Sequence, residues 1–575
     1  MSTVVIDPVT RIEGHLRIEA ETDQNGTITR ALSSGTMLRG IENIMIGRDP
    51  RDAWAIAQRI CGVCTLVHGI ASVRAVENAL AYPIPPNAEL IRNLMIGAQF
   101  IHDHVMHFYH LHALDWVDVV SALSADPAAT AHLQQCLSPW PNNSTAYFAD
   151  VKQRLSGFVG SGQLGIFANG YWGHPEYKLP PELNLLAFAH YLEALDWQRK
   201  ASRLHALFGG KNPHPNFIVG GAPVALDGKT GKTALDSTGR VLVKTVIEDM
   251  RRFVEQVYVP DTLAIARYYK DWSRRGEGVG NFMTYGEFPD PLSGVDDTSR
   301  LFVPRGVILN RDLSTIHPVD LDDPAQVQES VSHSWYQYGV GQEQPLHPYA
   351  GETRPNYTGP QPPYANLDMD QAYSWLKSPR WRGQPMEVGP LARVLMLYAS
   401  GHQATQTLVD GALAELKLPL TALYSTLGRV AARTFETKLI ADQMLVWYGQ
   451  LIGNLRGGDR ATHNDDLFYP ASWPASAQGV GYTEAPRGAL AHWVVIQDGR
   501  IANYQAVVPT TWNAGPRDAQ GQEGPYEAAL RGHPLLDPKQ PIEILRTIHS
   551  FDPCLACAVH LVDPDGESLL RITVA

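Results

Sequence analysis

Residues 59–68 read RICGVCTLVH, and residues 552–560 read DPCLACAVH. Each stretch contains a Cys-x-x-Cys pair, and the four cysteines are Cys61, Cys64, Cys554 and Cys557. The chain has five cysteines in all, and the fifth is Cys136. Four thiols in two such pairs are most simply explained by one four-thiolate metal site. The fold must then bring the two ends of the chain together.

Three kinds of site could use these thiols. Zinc sites built from two Cys-x-x-Cys knuckles usually keep them within about 15–20 residues of each other, because a small module closes around the metal. The gap of almost five hundred residues is a poor match to that spacing. A thioredoxin-like redox site needs only one pair. Soft thiolates also bind nickel, copper(I) and iron–sulfur centres, so the spacing favours a catalytic thiolate metal and leaves the other two readings open.

The composition is that of an acidic globular protein. The 575 residues carry a formal net charge of −12, and 44% of them are hydrophobic, which is ordinary for a folded domain. The negative charge argues against nucleic acid as a partner. We find no run of about 18 apolar residues that would predict a transmembrane helix. The N-terminus lacks the basic and apolar regions of a signal peptide.

The hydrophobic pattern predicts a mainly α (α+β) fold, a bundle of long helices with small flanking β-sheets. Apolar residues at three- and four-residue spacing predict long helices over residues 88–123, 183–207, 241–272 and 402–455, the last interrupted near residues 418–419. Alternating residues predict strands at 3–6, 16–20, 27–32, 491–497 and 501–508. We expect Cys136 to be buried as a small apolar group and not to be a ligand.

Four further segments stand in order along the chain. They read TRIEGH at 10–15, RGIE at 39–42, PHP at 213–215 and EAPRGALAH at 484–492. Together with the two cysteine pairs, they resemble the large, catalytic subunit of nickel–iron hydrogenases. The resemblance runs from the first strand to the last residues, and it implies the large-subunit fold of that family.

The resemblance implies two metal sites. The first is a nickel–iron centre in which the iron carries carbon monoxide and two cyanide ligands. Its protein ligands would be Cys61, Cys64, Cys554 and Cys557 for nickel, with Cys64 and Cys557 also bound to iron. The second is a magnesium or similar divalent ion, held by Glu42, His560 and the backbone carbonyl of Ala506; oxygen ligands suit magnesium.

The resemblance also implies the reaction H2 ⇌ 2H+ + 2e−, with heterolytic cleavage of H2. Cys554 would accept the proton and Glu13 would relay it, although Glu is usually an exposed residue. Arg487 would face the metals, held in place by Asp103 and Asp552. The neighbouring candidates are Pro486 in the same wall, His68 one helical turn after Cys64, and His214.

Domain organisation and partners follow from the same resemblance. Residues 1–560 would form one elaborated catalytic domain. Residues 561–575 would be an extension that a maturation endopeptidase removes after His560, once nickel-insertion factors have loaded the site. With four cysteines committed, the chain cannot hold a separate four-cysteine cluster, so an iron–sulfur small subunit must accept the electrons in a heterodimer or a higher oligomer. That subunit would carry the chain to the periplasm or the membrane, with a cytoplasmic location as the alternative.

Three alternatives share some of these features. The related quinone-site subunit of respiratory complex I lacks the nickel cysteines. An H2-sensing regulatory hydrogenase generally lacks the C-terminal extension. A structural four-cysteine zinc protein would leave Glu13, Arg487 and Asp552 unexplained. The segment GPLAR at 389–393 and the overall pattern favour a membrane-associated or periplasmic uptake enzyme, whereas the electron acceptor and the oxygen tolerance stay open.

Overall fold

The computed structural model describes residues 2–162, 167, 170–226, 235–360 and 366–555. Cys557, His560 and the predicted extension at 561–575 lie outside the described residues.

Twelve strands are present in the described part of the chain. They are β1 (Ser2–Ile6), β2 (Leu16–Thr22), β3 (Ile28–Gly35), β4 (Phe282–Thr284), β5 (Glu287–Pro289), β6 (Leu301–Val303), β7 (Gly306–Ile308), β8 (Val327–Ser330), β9 (Ser378–Trp381), β10 (Ser476–Ala485), β11 (Gly488–Gln497) and β12 (Arg500–Val507). Strands β1-β2-β3 and β10-β11-β12 form two antiparallel three-stranded sheets. The six short strands pair as β4 with β7, β5 with β6 and β8 with β9.

Helices are the most abundant regular element among the described residues. They are α1 (Ile41–Met45), α2 (Ala53–Ala57), α3 (Thr65–Ala79), α4 (Pro86–Met106), α5 (Pro127–Leu137), α6 (Thr145–Gly160), α7 (Pro181–Ala201), α8 (Arg203–Gly209), α9 (Ser237–Phe253), α10 (Val259–Ala266), α11 (Pro390–Ala399), α12 (Gln403–Leu416), α13 (Thr426–Arg456), α14 (Pro509–Ala514), α15 (Pro525–Leu530) and α16 (Ile542–Ser550). Among the described residues, no helix combines the length and apolar character needed to span a membrane. The predicted helical bundle with small flanking sheets is confirmed.

The longest helix, α13, packs against α4 at the centre of the bundle. The two helices approach closely at Gly97, where an added Cβ would lie only 3.1 Å from the side chain of Met444 and 3.3 Å from that of Trp447. Both helices are lined by buried aliphatic and aromatic side chains, which form one continuous core. This core places Asp103, near the end of α4, deep inside the protein.

Helix α3 lies directly on strand β10, and this contact connects the first cysteine pair to the late sheet. The contact is possible because β10 presents two glycines to the helix. A Cβ added to Gly479 would lie 2.3 Å from the backbone nitrogen of Ala79, and a Cβ added to Gly481 would lie 2.0 Å from the carbonyl oxygen of Ala71. Real side chains never approach so closely. The N-terminus of α3 is therefore held beside the end of β10.

Two sequence predictions differ from the structure. The helix predicted over 88–123 ends earlier than expected, because a π-helical turn at His107–His112 follows α4. After residue 115, the side chain of Asp118 accepts hydrogen bonds from the backbone N–H groups of Val120 and Ser121, at 2.9 and 3.0 Å. Such local side-chain bonds compete with the helix. The predicted burial of Cys136 is wrong, because the buried face of α5 carries Thr130, Ala131 and Gln134, whereas Cys136 is exposed.

Candidate metal centre

Three cysteine sulfurs meet in the interior of the protein. The Sγ atom of Cys61 lies 2.9 Å from that of Cys64 and 3.2 Å from that of Cys554, and the last two are 3.3 Å apart. All three residues are buried, and none is in a disulfide. The ends of the chain therefore meet at one site, as the sequence predicts, while Cys557 lies outside the described residues.

The first pair is shaped by the start of helix α3. Cys64 is its N-cap residue, and the backbone N–H groups of Val63 and Cys64 both point at the sulfur of Cys61, at 3.3 and 3.1 Å. Backbone N–H groups and the positive end of a helix dipole stabilise a thiolate. The Cys-x-x-Cys spacing thus places two sulfur ligands at the N-terminus of one helix.

The second pair is held by the N-terminal segment of the chain. Glu13 and Cys554 form a parallel β-bridge, in which the N–H of Glu13 donates to the carbonyl of Pro553 at 3.3 Å and the N–H of Leu555 donates to the carbonyl of Glu13 at 2.7 Å. The N–H of Cys554 donates to the hydroxyl of Thr510 at 3.1 Å. These main-chain bonds place the Glu13 carboxylate beside the sulfur of Cys554, with Oε2 at 3.3 Å from Sγ.

A buried ion cluster fixes the segment that precedes Glu13. Asp115 pairs with Arg11, and its other oxygen lies 2.6 Å from Nδ1 of His549. Nε2 of His549 in turn lies 2.8 Å from the carbonyl oxygen of Thr10. Burial opposes the charge on Asp115, but Arg11 and His549 outweigh it and lower the pKa of this carboxyl well below its usual range. Asp115 is therefore a permanent anion that ties residues 10–11 to α16.

Arg487 lies at the tip of the β10–β11 hairpin. Ala485 pairs with Gly488, so Pro486 and Arg487 form a two-residue turn. The Arg487 guanidinium lies 3.1 Å from Asp103 and 3.2 Å from Asp552, and all three side chains are buried. Burial alone would lower the pKa of Arg487, but Asp552, the two nearest thiols and Asp103 raise it above its usual range. The site thus contains a fixed positive charge.

A small cavity lies between the thiols and Arg487, with room for about one molecule the size of water. The surface exposed to the cavity is apolar, although polar residues are among those that line it. The lining residues are Cys64, Val67, His68, Ala485, Arg487, Leu490, Pro509, Thr510 and Cys554. Nδ1 of His68 lies 3.1 Å from Nε2 of His492. Only a very small ligand fits this cavity.

The other predicted ligands occupy a separate place. The Glu42 carboxylate is buried, and it accepts a hydrogen bond from the backbone N–H of Ala506 at 2.9 Å and another from the hydroxyl of Thr353. The structure therefore brings Glu42 and Ala506 together, while His560 lies outside the described residues.

His214 is half-buried, and its backbone N–H donates to the hydroxyl of Thr65 at 3.1 Å. Burial is the main cause that lowers the pKa of His214.

The donor set fits a thiophilic metal ion. Two sulfurs bound to one ion at about 2.3 Å must lie within about 4.6 Å of each other, and all three described sulfurs meet that limit. Three thiolates this close would repel one another without a cation, and soft metals such as nickel prefer such ligands.

The comparison with known families decides between the soft metals. A family model described as nickel-dependent hydrogenase matches residues 39–560, and a second, described as HoxL-like, matches residues 3–34. The chain belongs to the nickel-dependent hydrogenase family. The family implies a nickel–iron centre, and the described residues contain a cysteine cluster whose donor set fits it. The zinc and redox readings of the thiols are set aside.

Relatives within the family cover the whole chain. The chain is 53% identical to the uptake hydrogenase large subunit of Rhizobium leguminosarum bv. viciae and 50% identical to the hydrogenase-1 large chain of Escherichia coli (strain K12), each over 99% of this chain and 97% of the relative. The [NiFeSe] hydrogenase of Desulfovibrio vulgaris Hildenborough, solved in its as-isolated oxidized state, matches with a TM-score of 0.75 and 32% identity, over 97% of this chain and 100% of that one. This hydrogenase chain is thus a large subunit, and a small subunit is its partner.

Sequence reasoning found the residues nearest the thiols and missed those that hold them. The structure brings together Glu13, Cys61, Cys64, Cys554, Arg487, Asp103 and Asp552. It adds Thr510 and Asp115, which have no distinctive spacing in the sequence, and it shows a contact between His68 and His492, the last residue of the segment at 484–492. Their signal is burial: each is a polar residue that is almost completely inaccessible to solvent, and such residues are rare unless they are paired.

Proposed function

We propose that this hydrogenase subunit works in the direction of H2 uptake, and that it splits H2 into protons and electrons at the three described thiols and Cys557. One observation carries the assignment of roles: a carboxylate, Glu13, and a fixed cation, Arg487, meet the same buried thiols from two sides. The name of the Rhizobium leguminosarum relative, an uptake hydrogenase large subunit, supports the direction.

The metal centre would be held by the four cysteines, with Cys64 and Cys557 shared between nickel and iron. When bound, the two metals supply the redox chemistry that splits H2. We propose that the iron carries carbon monoxide and two cyanides, as the family resemblance implies. The cavity beside Cys64 and Cys554 exposes apolar surface, which accepts a small uncharged ligand such as H2.

The thiolate of Cys554 is the proton acceptor in this scheme, and the carboxylate of Glu13 is the next carrier. A proton transfer requires heavy atoms within hydrogen-bonding reach, and Sγ of Cys554 lies 3.3 Å from Oε2 of Glu13. Cys554 is completely buried, whereas Glu13 is half-buried. Glu13 is therefore placed to carry a proton from the buried thiolate towards solvent.

Arg487 would act by position and charge. Its pKa is too high for it to serve as a base. Asp103 and Asp552 hold its planar guanidinium from two sides, so its orientation over the cavity is fixed before H2 arrives. Preorganised charge of this kind stabilises a transition state without reorganisation.

A magnesium or similar divalent ion is proposed at Glu42, the carbonyl of Ala506 and His560. The buried Glu42 carboxylate supports it, because a buried carboxylate is normally paired with a charge. The nearby ammonium of Lys377 forms its ion pair with a different carboxylate, that of Glu329, at 3.3 Å. Electrons would leave through the iron–sulfur clusters of the small subunit, and we propose that this subunit takes the chain to the periplasm or the membrane.

We propose that the mature chain ends at His560. The family match also ends at this residue, and fifteen residues follow it. In this scheme nickel-insertion factors load the site first, and an endopeptidase then removes residues 561–575. The intact mass of the fully active subunit tests this idea, and a mass that still includes residues 561–575 would contradict it.

Serine substitutions test the metal assignment. We expect Cys64→Ser to lose bound nickel and H2-dependent dye reduction in the purified complex with the small subunit, because serine does not replace a soft thiolate ligand. Cys136→Ser is the matched control, since this thiol is exposed on α5, and it should retain both. Nickel bound at the normal level in Cys64→Ser would refute the assignment.

A further inference from the structure

The segment GPLAR at 389–393 packs against the turn that carries Arg487. Gly389 has a φ of 124°, and an added Cβ there would lie 2.8 Å from the carbonyl oxygen of Arg487. Gly488, with a φ of 140°, would place its own Cβ 2.6 Å from the side chain of Val388. The two backbones therefore touch, and Gly is required on both sides of the contact.

Arg393, four residues further on, binds this turn through its guanidinium. Nη1 donates to the carbonyl oxygen of Ala485 and Nη2 donates to that of Pro486, both at 2.8 Å. These two carbonyls immediately precede Arg487. One planar group thus fixes two successive peptide units of the turn.

The remaining donors of Arg393 are also used. Nε and Nη2 bind the two oxygens of Glu436 at 2.5 and 2.8 Å, and Nη1 binds Glu484 at 2.8 Å. The guanidinium stacks over the ring of Phe100 at 4.8 Å, and Arg393 is 0% exposed. All five N–H donors of an arginine therefore have acceptors, so this side chain is itself rigidly held.

The turn needs such support because its own sequence does not specify it. Two-residue hairpin turns favour Asn-Gly, Asp-Gly or a leading Gly, and this one is Pro486-Arg487. Proline also lacks an N–H donor. The carbonyl groups of Ala485 and Pro486 are in the protein interior, where an unpaired carbonyl is costly. Arg393 supplies the missing partners.

We propose that Arg393 is a positioning residue for the hydrogenase reaction: it holds the turn at residues 485–488 so that Arg487 points at the thiols. This inference rests on the proposed role of Arg487. It predicts that Arg393 acts on turnover only through Arg487 and not through the assembly of the metal site.

Arginine-to-lysine exchange tests the proposal, because lysine keeps the charge and cannot bind two carboxylates and two carbonyls at once. We expect Arg393→Lys in the complex with the small subunit to keep its nickel and to lose about 10- to 100-fold in H2 oxidation, the cost of a misplaced group. Infrared bands of the iron ligands should shift in the same direction as in Arg487→Lys. Arg92→Lys is the matched control, since this buried arginine binds Glu77, Glu89 and the carbonyl of Gly221, away from the turn.

A double-mutant cycle separates the possible outcomes. In the Arg487→Lys background, Arg393→Lys should lower the rate of H2 oxidation by less than about twofold, because the guanidinium that Arg393 positions is already absent. An equal loss in both backgrounds, or a fully active Arg393→Lys enzyme, would overturn the proposal alone. Full turnover of Arg487→Lys by itself would instead overturn the proposed role of Arg487, and the proposal with it.

A second variant covers the case in which Arg393→Lys yields no nickel-loaded complex. Glu484→Gln removes one carboxylate from Arg393 and leaves Glu436 in place. We expect it to assemble with nickel, to lose H2 oxidation several-fold and to show no further loss in the Arg487→Lys background. Wild-type turnover, or the same loss in both backgrounds, would refute the proposal.

Discussion

Replacement of Glu13 by glutamine is the sharpest test of the proton route. The two side chains have the same shape, but an amide cannot take up and release a proton at neutral pH. The hydrogen bonds that join Glu13 to Pro553 and Leu555 use the main chain, so the variant keeps its place beside Cys554. The perturbation is therefore confined to one proton-accepting oxygen, 3.3 Å from Sγ of Cys554.

The size of the effect follows from this geometry. A positioned proton acceptor typically contributes 10²–10⁴-fold to a rate, so we expect H2 oxidation to fall by at least about 100-fold. Glu13→Asp retracts the carboxylate by about 1.5 Å, the length of one carbon–carbon bond, which would take it out of direct hydrogen-bonding reach. Its rate should be intermediate, because water can bridge the longer gap.

The assay is steady-state H2 oxidation by the purified complex, with nickel content measured on the same sample. Glu21→Gln is the matched control, since this carboxylate pairs with Arg30 on the N-terminal sheet and should leave the rate unchanged. Glu13→Gln with full nickel and wild-type turnover would remove Glu13 from the route. Loss of nickel in Glu13→Gln would show that Glu13 is needed for assembly.

Three further predictions concern two supports of the site, Asp115 and Gly481, and the buried carboxyl of Glu527 on α15. Asp115→Asn should lower H2 oxidation about tenfold at normal nickel content, because residues 10–11 lose their anionic tether and Glu13 shifts; wild-type rates would contradict this role. Gly481→Ala should destabilise the complex by at least about 1–3 kcal/mol, since its Cβ would meet the carbonyl of Ala71 at 2.0 Å, and an unchanged melting temperature would exclude that contact. Burial raises the pKa of Glu527 to about 7 from an ordinary value of 4.5, so the folded state binds this proton more tightly than the unfolded state does. The contribution of this protonated carboxyl to the free energy of unfolding is fully present below pH 4.5. It is lost as the pH rises to 7, by roughly 3 kcal/mol. Glu527→Gln should therefore lose less thermal stability than the wild type between pH 5 and pH 8, and an equal loss would contradict the assignment.

The fold class was predictable because long amphipathic segments leave a clear pattern. Helix α9, which has one buried apolar face, and the strands at the N-terminus have such patterns, and the sequence predicts both. Strand β10 was not predicted, because Gly479 and Gly481 interrupt its apolar alternation. Those glycines serve the contact with α3, which is a tertiary requirement that local sequence does not reveal.

The site could be predicted only through its pattern of residue types. Spacing indicated one thiolate cluster, and the family resemblance supplied roles for Glu13 and Arg487. The bridge between Glu13 and Cys554 joins residues 541 positions apart, and no local rule predicts such a pairing. Arg393 and Asp115 were not predicted as site residues, because a charged residue in a helix or turn is normally on the surface. Only the structure shows that both are buried and shape the site.

Elemental analysis combined with infrared spectroscopy on the purified complex tests the central claim most directly. The structure and the family predict one nickel per chain, and we predict the sharp bands of iron-bound carbon monoxide and cyanide. Zinc without those bands would contradict the account, because the cysteines would then be structural and Glu13 and Arg487 would have no metal centre to serve.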